Sequence, residues 1–167
     1  MKYKILKKQP NSKMCLVCGL KNELSLKTSF YELESREVAG LFTSIDEHQS
    51  YPGRIHGGIA AAVLDETIGR ASMIDDENVW GVTLELSVEY KKPLPLNEKL
   101  LAIGRITKDS KRIFEGSGEI LLSNGEVAVI GHGRYLKMPL EKISDFGKDH
   151  EEWGVVIKEN EPTEIDF

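Results

Sequence analysis

The stretch RIHGGIAAAVLDETIG, residues 54–69, contains the residues of this sequence whose types and spacing could support catalysis. Its hydrophobic pattern predicts a helix that begins near Gly57. The first amides of a helix have no internal acceptor and lie at the positive end of the helix dipole, so the N–H of Gly57 or Gly58 could polarise a carbonyl oxygen. Asp65, further along the same helix, could serve as a nucleophile or as a general base on water. This combination predicts attack on a bound carbonyl group.

Each of these residues also has a structural interpretation. Gly57 and Gly58 could simply allow close packing of a strand against the helix. Asp65 could face solvent or a partner arginine. His56, which precedes the glycines, could take part in catalysis or cap the loop before the helix. The residue types alone leave both interpretations open.

Glu66 is the second acidic residue of the predicted helix. It lies about 100° around the helix axis from Asp65, so the two carboxylates face different surroundings. Arg70 follows four residues later, a separation that favours an ion pair on a helix. We therefore expect Glu66 to have a structural role, paired with Arg70.

The elements that must position these residues follow from hydrophobic patterning. Residues 24–45 predict two strands, and the helix is predicted over about 57–74. Residues 82–92, VTLELSVEYKK, alternate between apolar and polar side chains, which indicates a strand with one buried face. Three further strands, separated by turn residues, are predicted at 99–109, 111–123 and 127–138.

One long helix and one antiparallel sheet can bury their apolar surfaces against each other if the sheet curls around the helix. The predicted helix carries apolar residues on more than one face, as expected for a helix wrapped by strands. These residues are Ile59, Ala60, Val63, Leu64, Ile68 and Ala71. The predicted fold class is therefore α+β, with an antiparallel sheet of about five or six strands wrapped around one long central helix.

Length and composition limit the classes of protein to which the sequence can belong. The 167 residues suffice for one domain with a substantial core. The net charge of -5 argues against a general nucleic-acid-binding protein, which would have a basic surface. No apolar run approaches the roughly 20 residues needed to cross a bilayer, and the basic start MKYKILKKQPNSKMC lacks the apolar middle of a signal peptide. We expect a cytoplasmic protein with no nucleic-acid or membrane partner.

Three segments are predicted along the chain. Residues 1–22 are expected to form a loosely structured N-terminal arm, because Pro10 and Gly19 interrupt it. Residues 23–138 form the folded α+β domain. Residues 139–167 form an acidic tail with little hydrophobic patterning.

The arm contains the sequence CLVCG, in which Cys15 and Cys18 are the two cysteines of the chain. No second cysteine pair is present to complete a four-thiolate zinc site, and no histidine lies close to this pair in the sequence. A redox pair would need a thioredoxin-like strand and helix, which the flanking residues do not predict. Three interpretations stay open: a turn with two reduced thiols, half of an intersubunit or degenerate metal knuckle, and a redox pair.

The order of elements and the HGG motif followed by an acidic residue resemble the hotdog-fold acyl-CoA thioesterases of the phenylacetate-pathway, or PaaI-like, type. In that family HGG opens the central helix and the acidic residue follows nine positions after the histidine; the corresponding positions here are His56 and Asp65. The resemblance includes YPG before the motif, the segment VTLELSVEYKKPLP and the start CLVCGLKN. It covers residues 15 to about 138 and leaves out the acidic tail.

The resemblance implies a hotdog fold and hydrolysis of an acyl-CoA thioester to a free carboxylic acid and CoA. It implies no metal ion and no other cofactor, with the acyl-CoA as the small-molecule partner. The implied catalytic residues are Asp65, Gly57 and His56, with Gly58 contacting the substrate. Whether Asp65 acts as nucleophile or as general base stays open.

Further residues are candidates for substrate binding. Gln49 and Ser50 correspond to positions where the resembled enzymes place a polar group near the substrate carbonyl. Thr83, on the polar face of the strand at 82–92, could hold the attacking water or be a plain surface residue. Because coenzyme A carries phosphates, cationic residues near strand ends are candidates for binding it. They are Lys91, Lys92, Lys111 and Arg112.

Helix geometry predicts that such a site is shared between two chains. Gly57 and Asp65 are eight residues apart, which is about 12 Å along a helix. A carbonyl held at the helix start must instead lie about 3 Å from the attacking group. Two antiparallel helices side by side would place Gly57 of one chain opposite Asp65 of the other. We therefore expect a homodimer with two equivalent sites, and leave open whether dimers pair into tetramers.

Two other functions are compatible with the same fold. A non-catalytic acyl-CoA-binding or sensing domain would have no need of Asp65. A hotdog dehydratase or hydratase uses a histidine before the helix and an acid early within it, but positions 59–63 are apolar here. The acyl group is not predicted, because the depth of the binding pocket depends on side chains from both subunits.

Overall fold

The computed structural model describes residues 1–143, 152–157 and 159–167. Two α-helices are found in these ranges: α1 (Gly57–Gly69), which continues as a 3₁₀ turn over Arg70–Ile74, and α2 (Leu140–Ile143). A separate 3₁₀ turn spans Asp46–His48. The strands in the same ranges are β1 (Lys2–Lys8), β2 (Asn11–Ser12), β3 (Ser29–Leu33), β4 (Val38–Thr43), β5 (Val79–Tyr90), β6 (Lys99–Asp109), β7 (Ile113–Leu121), β8 (Val127–Pro139), β9 (Trp153–Gly154) and β10 (Glu164–Asp166). A helix long and apolar enough to cross a membrane is not found among the described residues.

Eight of these strands form one antiparallel sheet in the order β10-β1-β3-β4-β6-β7-β8-β5. The α+β prediction is confirmed, but the sheet has two more strands than the upper estimate of six. The additional strands, β1 and β10, come from the two ends of the chain. Strand β10 has three residues, of which only Ile165 is buried, so it is too short to produce a recognisable period.

Helix α1 packs against one face of this sheet. Its buried residues, Ala60, Val63, Leu64, Thr67 and Ile68, join one hydrophobic core with side chains from the strands. Close approach of β6 depends on Gly104, where a Cβ atom would lie 2.6 Å from the backbone oxygen of Thr67. The helix begins at Gly57 as predicted, and its last predicted turn is 3₁₀ instead of α-helical.

The expectation of a loosely structured N-terminal arm is wrong. Strand β1 pairs with β3 on one side and β10 on the other, and its Tyr3 and Ile5 pack against a second apolar cluster on the sheet. After Pro10, the side-chain amide of Asn11 donates from Nδ2 to the backbone oxygens of Cys18 (2.8 Å) and Thr28 (2.9 Å). The turn-forming residues therefore end a strand and shape a buried turn, instead of keeping the segment unstructured.

The predicted acidic tail is described only in part, since residues 144–151 and 158 lie outside the described residues. Within the described part, β9 pairs with β2 and β10 pairs with β1. Ile165 is 3% exposed and belongs to the second apolar cluster. These segments therefore pack against the domain. The division into three segments stays a prediction.

Candidate functional site

Asp65 lies on the half-buried side of α1 that faces β5 and β8. The hydroxyl of Thr83 donates a hydrogen bond to Asp65 Oδ1 at 2.8 Å. The hydroxyl of Tyr135 lies 3.2 Å from the same oxygen and 3.3 Å from the backbone oxygen of Asp65. Burial raises the pKa of the Asp65 carboxyl above its ordinary value, and the hydrogen bonds from Thr83 and Tyr135 partly oppose this. The result is an oriented carboxylate suited to act as a base or nucleophile.

Tyr135 is a site residue that sequence reasoning missed. Its side chain is fully buried and stacks on Phe114, with ring centroids 4.9 Å apart. A Cβ atom at Gly133 would lie 2.4 Å from this ring, so the glycine provides the space for it. Burial and the charge of Asp65 raise the pKa of Tyr135, which keeps its hydroxyl protonated as a donor. The signal was the alternation of β8, in which Gly131, Gly133 and Tyr135 are all buried.

The start of α1 shows which glycine amide can bind a ligand. His56 is the N-cap, and its Nδ1 accepts a hydrogen bond from the N–H of Gly58 at 2.9 Å. No acceptor for the N–H of Gly57 is found in the described part of the chain. The Gly57 carbonyl accepts from the Tyr90 hydroxyl at 2.7 Å. Of the two predicted amides, that of Gly57 is therefore the one available, and His56 has the capping geometry.

Gly57 and Asp65 line different cavities of the single chain. The Asp65 cavity is bounded by Thr83, Glu66 and the two cysteines, among others. The helix-start cavity is bounded by Gly57, Ser50, Tyr90 and Lys91, among others. This separation agrees with the predicted distance of about 12 Å between Gly57 and Asp65 along the helix. At that distance one chain cannot supply both groups to one carbonyl.

The other predicted substrate residues lie in three places. Ser50, Lys91 and Lys92 line the helix-start cavity. Gln49 is exposed, and its Oε1 accepts from the N–H of Gly53 at 2.9 Å, which closes the loop before α1. Lys111 and Arg112 lie in the turn between β6 and β7 and are not among the residues that bound either cavity.

Glu66 and Arg70 form the predicted ion pair, with Arg70 Nη2 2.8 Å from Glu66 Oε1. The other carboxylate oxygen, Oε2, lies 3.1 Å from the Sγ atom of Cys15. The ligand atoms of Cys15, Cys18 and Glu66 all lie within 4.8 Å of one another. These three residues are the ones in this cavity that could hold a metal ion.

Two tryptophans close one side of the Asp65 cavity. Trp80 and Trp153 both line it, with ring centroids 4.3 Å apart. The guanidinium of Arg70 lies between aromatic rings, 4.9 Å from the centroid of Trp153 and 4.1 Å from that of Phe30. The described C-terminal residues therefore contribute to the wall of this cavity.

Comparison with known proteins extends these observations. The thioesterase superfamily matches the chain over residues 52–129. Two relatives from Mus musculus are named acyl-coenzyme A thioesterases. THEM4 is 30% identical over 86 residues, 51% of this chain and 36% of the relative. Acyl-coenzyme A thioesterase 13 is 25% identical over 92 residues, 55% of this chain and 65% of the relative. The chain thus covers less than two thirds of the length of each.

Solved structures confirm the predicted hotdog fold. A crystal structure of a thioesterase superfamily protein aligns with a TM-score of 0.68 and 30% identity, over 73% of this chain and 59% of the other. A Streptococcus mutans protein bound to acetyl CoA aligns with a TM-score of 0.57 and 21% identity, over 62% and 82%. The E. coli PaaI protein of the phenylacetic acid degradation operon aligns with a TM-score of 0.61 and 13% identity, over 68% and 80%. The last two similarities concern the fold alone.

Proposed function

We propose that the chain is a member of the thioesterase superfamily, whose model matches residues 52–129, and that it hydrolyses acyl-CoA thioesters to a free carboxylic acid and CoA. The names of the two mouse relatives support this substrate class. The observation that carries the proposal is the arrangement around Asp65, whose Oδ1 is held by Thr83 and Tyr135 at the wall of a cavity.

In the proposed reaction the N–H of Gly57 binds the thioester oxygen and stabilises the negative charge that develops on it. Asp65 either removes a proton from the attacking water or attacks the carbonyl carbon itself. The bond between this carbon and sulfur then breaks, and the CoA thiolate takes up a proton. In the second route, water hydrolyses the resulting anhydride. Both routes consume one water and use no metal ion or cofactor.

We propose that each site is built by two chains of a homodimer, whose α1 helices lie antiparallel to each other. Gly57 and Asp65 line separate cavities, so the carbonyl bound at one helix start needs the Asp65 of a second copy. Strand β5 supports this arrangement, because it ends the sheet and pairs only with β8 among the described strands. Its Leu84 and Tyr90 are 48% and 54% exposed. A long open edge of this kind is a natural surface for pairing with another chain.

The acyl-CoA is proposed to enter at the helix-start cavity. Ser50 and Lys91 bound that cavity, where a hydroxyl can contact the thioester region and an ammonium group can contact a CoA phosphate. Lys111, Arg112 and Gln49 stay predictions as ligand-binding residues.

The decisive experiment measures CoA release from a panel of aryl, short-chain and medium-chain acyl-CoAs with a thiol reagent. Wild-type protein should release CoA from at least one of them. Asp65→Ala and Asp65→Asn should lower kcat by at least about 100-fold. The matched control is Asp76→Asn, at an exposed loop position, which should keep wild-type turnover.

Other outcomes distinguish the competing functions. Wild-type turnover in Asp65→Asn would remove Asp65 from the mechanism. Acyl-CoA binding without hydrolysis by the wild type would instead identify a binding or sensing domain. Addition of water to an enoyl-CoA would identify a hydratase.

A further inference from the structure

The segment from Ser12 to Gly19 folds into a turn that presents both cysteine sulfurs on one side. Cys15 Sγ accepts hydrogen bonds from the backbone N–H groups of Val17 (3.3 Å) and Cys18 (3.4 Å). Cys18 Sγ accepts from the N–H of Ser12 at 3.5 Å. Donors aimed at sulfur stabilise negative charge on it, and the thiolate is the form that binds metals. The turn therefore directs backbone N–H donors at both sulfurs.

Helix α1 brings a third donor to the same place. Oε2 of Glu66 lies 3.1 Å from Cys15 Sγ, while Oε1 binds Arg70 through Nε (3.0 Å) and Nη2 (2.8 Å). Arg70 thus fixes Oε1, while Oε2 faces the sulfurs. A metal-binding carboxylate commonly has a second hydrogen-bond partner of this kind. Arg70 is itself held by the backbone oxygen of Pro10 at 2.9 Å and is 4% exposed.

We propose that Cys15, Cys18 and Glu66 form a binding site for a thiophilic divalent metal ion, with Zn²⁺ as the preferred ion. Their ligand atoms lie within 4.8 Å of one another, close to the spacing of about 3.5–3.8 Å that Zn–S bonds of about 2.3 Å and Zn–O bonds of about 2.0–2.2 Å require in a tetrahedron. Thiolate and carboxylate ligands together favour Zn²⁺ over Ca²⁺ or Mg²⁺.

The charges at this site balance when the ion is bound. Two thiolates and the Glu66 carboxylate carry three negative charges, and a divalent ion with Arg70 carries three positive ones. Binding releases one proton from each thiol to solvent. All three ligands line the Asp65 cavity, so water from this cavity supplies the fourth ligand. The bound ion would connect the N-terminal turn to helix α1 and stabilise the fold.

A disulfide between Cys15 and Cys18 is the competing use of these residues. Disulfide formation consumes both sulfurs and gives no role to Glu66, whose Oε2 faces them. The carboxylate therefore favours metal binding over redox chemistry, and it provides a variant that separates the two.

The test uses full-length protein purified under reducing conditions. Elemental analysis should find about one zinc per chain, and stripped protein titrated with Co²⁺ should develop a thiolate-to-cobalt charge-transfer band at the same stoichiometry. Removing Zn²⁺ with a chelator should lower the Tm, and adding it back should restore it. Cys15→Ser and Cys18→Ser should abolish the band, and Glu66→Gln should weaken Zn²⁺ affinity at least about 10-fold. Glu34→Gln, at an exposed position, is the matched control.

Absence of Zn²⁺ and Co²⁺ binding in the reduced wild type would overturn the proposal, as would equal affinity in Glu66→Gln and Glu34→Gln. Isolation of a stable disulfide form that cannot be converted to a metal-bound one would also overturn it. If Cys15→Ser or Cys18→Ser does not fold, the Zn²⁺ affinity of Glu66→Gln still tests the proposed site. The readouts require no hydrolytic activity, so the metal site and the proposed thioesterase function can fail separately.

Discussion

Thr83 and Tyr135 lie opposite each other on β5 and β8, and their hydroxyl groups converge on one oxygen of Asp65. The contact distances are 2.8 Å from Thr83 and 3.2 Å from Tyr135. Hydrogen bonds to Oδ2 from the described residues are not found, so the second oxygen is available to water or substrate. The strand pairing between β5 and β8 therefore sets the direction of the carboxylate.

We predict that removing either hydroxyl shifts the pH dependence of hydrolysis. Both hydrogen bonds favour the ionised carboxylate, so Thr83→Val or Tyr135→Phe should raise the pKa of Asp65 further. The acid limb of the kcat/KM profile reports this group in the free protein, and it should move to higher pH in both variants. Steady-state rates across the acid range measure the shift. Thr43→Val and Tyr3→Phe serve as controls, and an unmoved acid limb in both test variants would contradict the assignment.

Asp65→Asn is predicted to stabilise the protein at neutral pH. The folded-state pKa of Asp65 is raised, so the folded state favours the protonated form, and its stability falls as pH rises above the ordinary Asp value. Replacing the partly buried charge should therefore raise the Tm at neutral pH. Thermal unfolding of both proteins at several pH values checks this. The difference should disappear on acidification, and a variant that is less stable than wild type at neutral pH would refute the prediction.

Activity is predicted to return when two inactive variants share a dimer. In a heterodimer of Asp65→Ala and Gly57→Val chains, one site receives both intact residues and the other receives neither. Random pairing makes half of the dimers mixed, so co-expression should restore about a quarter of wild-type activity. Differently tagged chains allow the mixed dimer to be purified and assayed. If both groups came from one chain, every site would be defective and the mixed dimer would be inactive.

His56 is predicted to act as a helix cap. His56→Ala should cost about 0.5–2 kcal/mol, because the Gly58 amide loses its acceptor. His56→Asn should keep the stability, since asparagine is a favourable N-cap. Chemical denaturation measures both values. A low kcat in a fully stable His56→Asn protein would instead assign the imidazole a role in the reaction.

The parts of the site that are local in sequence were predictable. The start of α1 and the ion pair of Glu66 with Arg70 follow from the helix-start residues and the 3.6-residue period of a helix. The prediction of one buried face along β5 is wrong in part, because the strand register shifts between Thr83 and Glu85 and the side chains of Leu84 and Tyr90 are 48% and 54% exposed. Thr83 was a candidate because alternation places it on the polar face of its strand. Its bond to Asp65 shows instead that Thr83 faces α1, on the side where Leu86 and Val88 pack after the register shift.

Tyr135 and the two cysteines were harder to assign because their neighbours are distant in sequence. Tyr135 reaches Asp65 only because β8 is the strand that pairs with β5, a non-local choice that no short pattern encodes. Cys15 meets Glu66 because the turn that carries it is bonded to the segment before β3 and lies against α1. A turn of this kind has no periodic signal in the sequence. Both cases depend on tertiary packing.

The tryptophan pair beside Asp65 gives the protein a built-in optical reporter. Trp80 and Trp153 are the two tryptophans of the chain, and both line this one cavity. Tryptophan emission therefore comes from that location alone, without background from indoles elsewhere. Occupancy of the cavity can be followed by quenching or a wavelength shift in unlabelled protein, even for compounds that are never turned over.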